Sequence, residues 1–147
     1  MRTINFRGKR VDGKGWCRGL LALNKGDENS YFLQSPLYDS DGYRGYQQYE
    51  VTPETVGQFT GLKDKNGKEI YEGDIVKLIP NKKLKERIYW TAIIAVGLVA
   101  WDLLSWCIKA KGDDNGTRYL HYPDFEIKDI EIIGNIHDNP ELLGERK

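Results

Sequence analysis

The sequence predicts a mainly β protein with minor helix, and two observations lead to this prediction. Turn-forming pairs recur at short intervals along the 147 residues; Gly, Asn and Asp are typical of such positions because they tolerate turn conformations. The runs between the turns are short and rich in β-branched and aromatic residues, without the 3.6-residue period of a long amphipathic helix. The pattern is typical of an antiparallel sheet. Its turns are Asp12-Gly13, Lys25-Gly26-Asp27, Asp41-Gly42, Asn66-Gly67, Glu72-Gly73 and Asp114-Asn115-Gly116.

In chain order, the strands are predicted at residues 3–6, 15–23, 31–33, 46–51, 75–79, 89–101, 104–109 and 130–136. A hairpin turn at Asn66-Gly67 adds a short return strand at 68–71. Helix is predicted only near residues 53–58 and after Pro140, because a proline at the first helical position precedes an acidic residue at both places.

The order of elements after residue 60 is similar to that of a small SH3-like barrel. A tight turn and a Gly-Asp pair lead into an alternating strand, and a long loop, a strand–turn–strand unit and a final strand follow. We therefore predict an SH3-like barrel with a C-terminal helical turn at residues 61–147, packed against a β-rich region at residues 1–60. The strand at 89–101 is apolar on both faces, so it requires a cover on each side, from the N-terminal region or from another copy.

A stretch at residues 88–108 has the length of a membrane span and carries one charge, Asp102. The cost of inserting Asp102 roughly cancels the gain from its aliphatic residues, and its β-branched and aromatic content favours two strands. Cys17 and Cys107 have neither zinc-site nor redox spacing. The first residues lack the apolar core of a signal peptide, so we expect a cytoplasmic protein without membrane contact.

Residues 59–76, FTGLKDKNGKEIYEGDIV, resemble the signature of the YopX-like family of phage and prophage proteins. Residues 5–10 with Trp16, residues 53–58 and residues 130–143 resemble the same family in the same order, whereas residues 78–124 depart from it. The resemblance implies phage or prophage origin, a bacterial cytoplasm and a β-rich fold, and it carries no established biochemical activity. We interpret these family-like residues as having a structural role. We call the following seven the signature positions: Gly61, Asn66, Gly67, Gly73, Asp74, Gly134 and Pro140.

Three neighbouring carboxylates are the densest candidates for chemistry. These are Glu69, Glu72 and Asp74, and Glu72 and Asp74 would hold a divalent ion or act as an acid–base pair if they shared a face. The interpretation we favour is that they cap backbone amides in turns. His121 and His137 have no evident nucleophilic partner, and no phosphate-binding loop motif is present. The sequence therefore predicts no catalytic residue, no metal ligand and no cofactor, and it gives an enzymatic activity no support.

Two binding functions are consistent with the sequence. The basic loop residues Lys82, Lys83, Lys85 and Arg87, helped by Arg7, Lys9 and Arg10, would contact phosphates. The 22 basic and 22 acidic residues balance, however, whereas dedicated nucleic-acid binders are typically basic. We therefore predict a non-catalytic protein-binding or assembly module whose partner is a second copy or a host or phage protein. A nucleic-acid-binding accessory protein is the alternative.

Overall fold

The computed structural model describes residues 4–24, 26–78, 96–102, 105–110, 117–119 and 130–144. The chain divides into two compact units, Met1–Phe59 and Thr60–Lys147. The protein is mainly β, which confirms the predicted fold class. The described strands are β1 (Phe6–Lys9), β2 (Trp16–Asn24), β3 (Asp27–Asp39), β4 (Gly42–Val51), β5 (Gly57–Lys63), β6 (Glu69–Tyr71), β7 (Asp74–Leu78), β8 (Val96–Asp102), β9 (Ser105–Ala110), β10 (Thr117–Tyr119) and β11 (Ile130–Asn135).

The N-terminal unit is an antiparallel sheet in the strand order β4-β3-β2-β1-β5. Strands β2, β3 and β4 form a long meander, and a tight turn at residues 40–41 joins the last two, because Asp39 pairs with Gly42. The Asp39 carboxylate accepts a hydrogen bond from the Asp41 amide at 2.9 Å within this turn. The meander extends well beyond the strands predicted at 31–33 and 46–51.

The end of β1 folds against the outer edge of β4. Arg10 and Val51 form a β-bridge, the Val11 amide donates to the Glu50 carbonyl at 3.1 Å, and the Thr52 amide donates to the Lys9 carbonyl at 2.8 Å. Val51 is buried in the resulting core. These bonds join the first strand of the unit to its last long strand.

A 3₁₀ helix at Pro53–Thr55 follows this junction, where a short helix is predicted. Thr52 makes no side-chain capping bond. The side chain of Thr55 makes the local hydrogen bonds instead: its hydroxyl donates to the Thr52 carbonyl at 2.7 Å and accepts from the Lys9 amide at 2.8 Å. The buried Thr55 hydroxyl therefore connects the helix to β1.

In the C-terminal unit, the last residues of β5 neighbour β6, and the other described strands form a sheet in the order β10-β9-β8-β7-β11. The described strands close into no barrel, so the SH3-like barrel stays a prediction. A second 3₁₀ helix, Pro140–Leu143, follows β11. The core of the unit consists of Ile70, Val76, Leu78, Val99, Trp106, Ile108 and Ile130.

The described part of the apolar stretch at 88–108 consists of β8 and the first residues of β9, paired as a hairpin. Residues 89–95 of the predicted two-faced strand lie outside the described residues. In the described ranges, no helix has the length and apolar character that crossing a membrane requires.

Gly19 in β2 provides a test of the meander's packing. A Cβ at this position would lie 2.3 Å from the Gln34 carbonyl oxygen and 2.6 Å from its carbonyl carbon, both backbone atoms of β3. We expect Gly19→Ala to lower the free energy of unfolding by at least about 2 kcal/mol, because the two strands must separate to admit the methyl group. Urea unfolding measures the change.

Gly26→Ala, at the other end of the β2–β3 hairpin, is the matched control. A Cβ there would meet only the Asn24 side-chain oxygen, at 3.8 Å. A loss of stability in Gly26→Ala as large as that in Gly19→Ala would contradict the close approach of β2 and β3.

Candidate functional site

One face of the meander carries a row of exposed apolar side chains. Directly paired residues of antiparallel strands project to the same face, as do alternate residues along one strand. In the observed register, Leu20 pairs with Gln34, Pro36 pairs with Tyr46, and Tyr38 pairs with Tyr43. All of these side chains therefore share one face. We call its apolar members the tyrosine face: Leu20, Pro36, Tyr38, Tyr43 and Tyr46.

The tyrosine face is accessible to solvent. Tyr38, Tyr43 and Tyr46 are 70%, 62% and 57% exposed, and Leu20 is 57% exposed. The rings of Tyr38 and Tyr43 meet edge to face with centroids 5.9 Å apart. Single exposed apolar residues are ordinary on protein surfaces, whereas a contiguous group is typical of an interaction site. Tyrosine in particular is enriched where proteins bind other proteins.

The opposite face of the meander is different. Near its base Leu33 and Val51 are buried and Leu23 is exposed, because Leu23 pairs with Tyr31 and Tyr31 with Val51. Towards the β3–β4 turn Leu37 is exposed, and the polar pair Ser35 and Gln47 lies between Leu33 and Leu37. The opposite face thus supplies the core at one end and carries no exposed tyrosine at the other.

The tyrosine face also carries the exposed residues Arg18 and Glu50, which alternate with Leu20 in β2 and with Gln48 in β4. The Arg44 guanidinium binds the Asp39 carboxylate closely and the Asp41 carboxylate at 2.9 Å. The polar pair within the face is uncharged: the Gln34 amide donates to the Gln48 side-chain oxygen at 2.8 Å. With Arg18 balanced by Glu50, the face has no excess of positive charge to attract a polyanion.

Arg10, one of the proposed helpers in phosphate binding, is already engaged by the N-terminal unit. Its guanidinium carbon lies 3.7 Å from the centroid of the Tyr49 ring, and one edge of the guanidinium, Nε and Nη2, donates to both carboxylate oxygens of Asp12. The hydrogen bond from Arg10 holds the pKa of the Asp12 carboxyl below its ordinary value, with a further contribution from the Lys14 amide. The same bond raises the pKa of Arg10.

Arg7, a second proposed helper, lies with its guanidinium carbon 5.0 Å from the centroid of the Trp16 ring. The loop residues Lys82, Lys83, Lys85 and Arg87 lie outside the described residues, so the nucleic-acid alternative stays a prediction. No described observation favours it over protein binding.

Neither cysteine forms a disulfide. Cys17 is partly buried, its thiol faces the Gly8 carbonyl oxygen at 3.7 Å, and burial raises its pKa. Cys107 is buried in the C-terminal unit. The environments of both thiols are those of small apolar side chains and suit no nucleophilic role.

In the C-terminal unit, Asp64 fastens the signature hairpin to β11. One carboxylate oxygen accepts bonds from the amides of Asn66 at 2.8 Å and Lys68 at 3.0 Å, and the other accepts from Ile132 at 3.1 Å. Burial by itself raises the pKa of this carboxyl, but the three amides outweigh it and the pKa is lowered. The turn predicted at Asn66-Gly67 thus depends on an ionised, buried side chain.

The three candidate carboxylates are placed around the next turn. Asp74 is buried and accepts a hydrogen bond from the Tyr71 amide at 2.8 Å, and Glu69 accepts one from the Tyr71 hydroxyl at 2.9 Å. Glu72 and Gly73 form the turn itself, and Gly73 has a positive φ of 84°. In the described ranges, no group of three or more His, Cys, Asp or Glu residues is arranged to hold a metal ion.

The pairing of β7 with β11 joins the signature positions around residue 74 to those around residue 134. Gly134 pairs with Ile75 and Asn135 pairs with Asp74. The Asn135 side-chain oxygen accepts bonds from the amides of His137 at 3.0 Å and Asp138 at 2.9 Å. His137 is therefore placed by an asparagine-centred turn; His121 lies outside the described residues.

The remaining signature positions are distributed along the same unit. Gly61 is exposed in β5, Gly67 is in the β5–β6 turn, and Pro140 begins the second 3₁₀ helix. The signature therefore groups turn and pairing residues and does not converge on one reactive group. Sequence reasoning did not identify the tyrosine face, because Tyr43 and Tyr46 are three residues apart and share a face only through the register shift between Leu37 and Tyr38.

The fold is shared with a solved structure. The chain is similar to the crystal structure of protein EF1440 from Enterococcus faecalis, with 22% sequence identity and a TM-score of 0.57 over 97% of this chain and 99% of that one. At this identity the likeness shows the fold alone. Comparison with curated proteins found no match.

Fold and site together define a β-rich protein with a structural signature and an exposed apolar sheet face. The family model of the YopX protein matches residues 5–144. Because the match covers nearly the whole chain, the protein belongs to the YopX family, which confirms the resemblance carried by residues 59–76.

Asp64 provides a test of how the signature hairpin is held. We expect Asp64→Asn to lower the free energy of unfolding at neutral pH by about 2–3 kcal/mol, because the neutral amide loses charge-assisted bonds and turns a donor towards the Ile132 amide. Since the folded-state pKa lies below the ordinary 3.8, the contribution of Asp64 is complete above about pH 4 and disappears as pH falls through the folded-state value. Urea unfolding from pH 7 to pH 2 measures this.

Glu131→Gln is the control for Asp64→Asn. Glu131 forms an ion pair with the Lys65 ammonium at 2.8 Å, and both side chains are partly exposed. Such pairs contribute at most about 1 kcal/mol. Equal losses in the two variants, or a difference between wild type and Asp64→Asn that does not shrink in acid, would show that Asp64 does not fasten the hairpin.

Proposed function

We infer that the protein is a non-catalytic protein-binding module and that the tyrosine face is its binding surface. The observation that carries this inference is the exposure of Leu20, Tyr38, Tyr43 and Tyr46 on one face of a rigid sheet. Burying such side chains against a partner releases roughly 25 cal/mol per Å² of apolar surface, and tyrosine rings are frequent anchors of interfaces.

The backbone under the tyrosine face supports this function. Its strands β3 and β4 pair antiparallel from Tyr31–Val51 to Asp39–Gly42, with one register shift between Leu37 and Tyr38, so hydrogen-bonded strands carry the tyrosines. A rigid surface loses little conformational entropy on binding. Glu72, Asp74 and His137, by contrast, lie in or beside turns.

Leu20 and Leu23 form a matched pair for testing the surface. Both are exposed leucines of β2, at 57% and 62%, but they project to opposite faces. A photoreactive benzoylphenylalanine placed at residue 20 of the full chain is expected to trap a protein partner in the cells that produce the chain. The same group at residue 23 is expected to trap at least about fivefold less.

A second substitution connects the trapping to the tyrosines. Adding Tyr46→Ser to the residue-20 probe is expected to reduce the trapped product several-fold without changing urea unfolding, because the Tyr46 side chain is mostly exposed. Mass spectrometry identifies the trapped species. Equal trapping from residues 20 and 23, or none from either, would contradict the proposed binding surface.

A further inference from the structure

The outer edge of β4 has a short open stretch. β4 is the last strand in its sheet. The backbone groups of Glu50 and Thr52 point outwards, because they bond to Val11 and Lys9. In an antiparallel strand this direction alternates, so those of Gln48 and Tyr46 also point outwards. In the described parts of the chain, no strand pairs with β4 at these two residues.

The open stretch is limited at both ends by the fold. At one end Val11 occupies the edge at Glu50. At the other, the register shifts between Leu37 and Tyr38, which leaves Arg44 as an extra residue beside Gly45, and Gly45 has a positive φ of 121°. The stretch between these limits is residues 45–49, and Gln47 is its centre.

Residues 45–49 contain none of the usual protections of a sheet edge. The sequence Gly-Tyr-Gln-Gln-Tyr has no charge and no proline. Natural edge strands usually carry lysine, proline or an inward-pointing charge that prevents pairing with another strand. An edge without them, between two structural limits, is suited to accept one short strand.

We propose that this stretch binds the same stretch of a second copy of the chain, antiparallel, with Gln47 on the two-fold axis. This register places Tyr46 of each copy opposite Gln48 of the other, and both have outward-pointing backbone groups. Each such pair exchanges both N–H···O bonds. The Gln47 side chains of the two copies face each other as a non-hydrogen-bonded pair.

The limits of the edge select this register over its neighbours. Centring the pairing on Tyr46 would set Gln48 against Arg44, in the irregular bulge. Centring it on Gln48 would set Tyr46 against Glu50, whose outer carbonyl already accepts from Val11. Only the register centred on Gln47 matches the outward-pointing groups of both copies.

The neutral sequence makes a second copy a suitable occupant. Two uncharged stretches meet without repulsion, and directly paired residues share a face, so the two tyrosine faces become one continuous surface. The end charges, Arg44 and Glu50, are opposite in sign but add little, because Arg44 already binds Asp39 and Asp41. The proposal rests on the proposed function and extends it: the second copy pairs at the edge, and the joined tyrosine faces stay exposed for the partner that binds them.

A cysteine at the two-fold axis tests the register directly. In a non-hydrogen-bonded antiparallel pair the Cα atoms are about 4.5 Å apart, within reach of a disulfide, whereas diagonal neighbours are about 7–8 Å apart. Mild oxidation of full-length Gln47→Cys is expected to give a disulfide-linked dimer. Gln48→Cys and the wild type, which has only Cys17 and Cys107, are expected to give at least about tenfold less.

A charge exchange tests the pairing without a covalent bond. Gln47→Lys and Gln47→Glu each place like charges opposite one another and are expected to weaken self-association at least about tenfold. An equimolar mixture of the two variants is expected to restore it, because each Lys then faces a Glu. Sedimentation velocity over roughly 1–200 µM covers the range expected of a small interface.

Three results would overturn the proposal: a monomeric wild type across that range, equal cross-linking of Gln47→Cys and Gln48→Cys, or no restoration in the mixed sample. A monomeric wild type combined with trapping of a different protein from residue 20 would overturn the self-pairing and leave the protein-binding function intact. Absence of trapping at residue 20 in a chain that dimerises through Gln47 would overturn the tyrosine face as the binding surface.

Discussion

The fold of the N-terminal unit depends on the backbone hydrogen bonds between the end of β1 and the end of β4. Buried backbone groups must be paired, and the bridge between Arg10 and Val51 pairs two strand ends that are separated by forty residues of chain. The bridge encloses Val51 at the base of the meander and places the Arg10 guanidinium over the Tyr49 ring. It also covers β4 at Glu50, so the distal part of the same strand is the part left for other contacts.

The C-terminal unit uses a side chain for the equivalent task. Asp64 accepts bonds from the hairpin and from β11, which begins at Ile130, 66 residues further along the chain. One buried charge thereby connects two segments that are distant in the sequence. Such a charge is tolerated because its desolvation is offset by three amide donors. In both units, long-range pairing is achieved by hydrogen bonds made at strand ends, and the aliphatic core fills the space that these bonds enclose.

Much of the fold could be predicted from the sequence, because turn chemistry is local. The turns at Asp41-Gly42 and Asn66-Gly67 need no knowledge of distant residues, and the family resemblance covered the signature. The full length of β3 and β4 could not be predicted, because their distal residues are polar or isolated tyrosines and are held in strands by cross-strand pairing. The tyrosine face depends on the register of Pro36 with Tyr46 and of Tyr38 with Tyr43, and register is a property of the folded hairpin.

The same dependence on register separates the proposed binding surface on the meander from the signature. The signature residues Gly73, Asp74 and Asn135 form turns and pairs, and their hydrogen bonds are directed at the backbone. The meander exposes side chains that its fold does not need: Tyr38 and Tyr43 mainly contact each other, and Tyr46 lies beside Pro36 at the surface. Exposed tyrosines on a rigid strand add little to the stability of a single chain. Burying them against a partner would remove apolar surface from water, and this supports the proposed binding role.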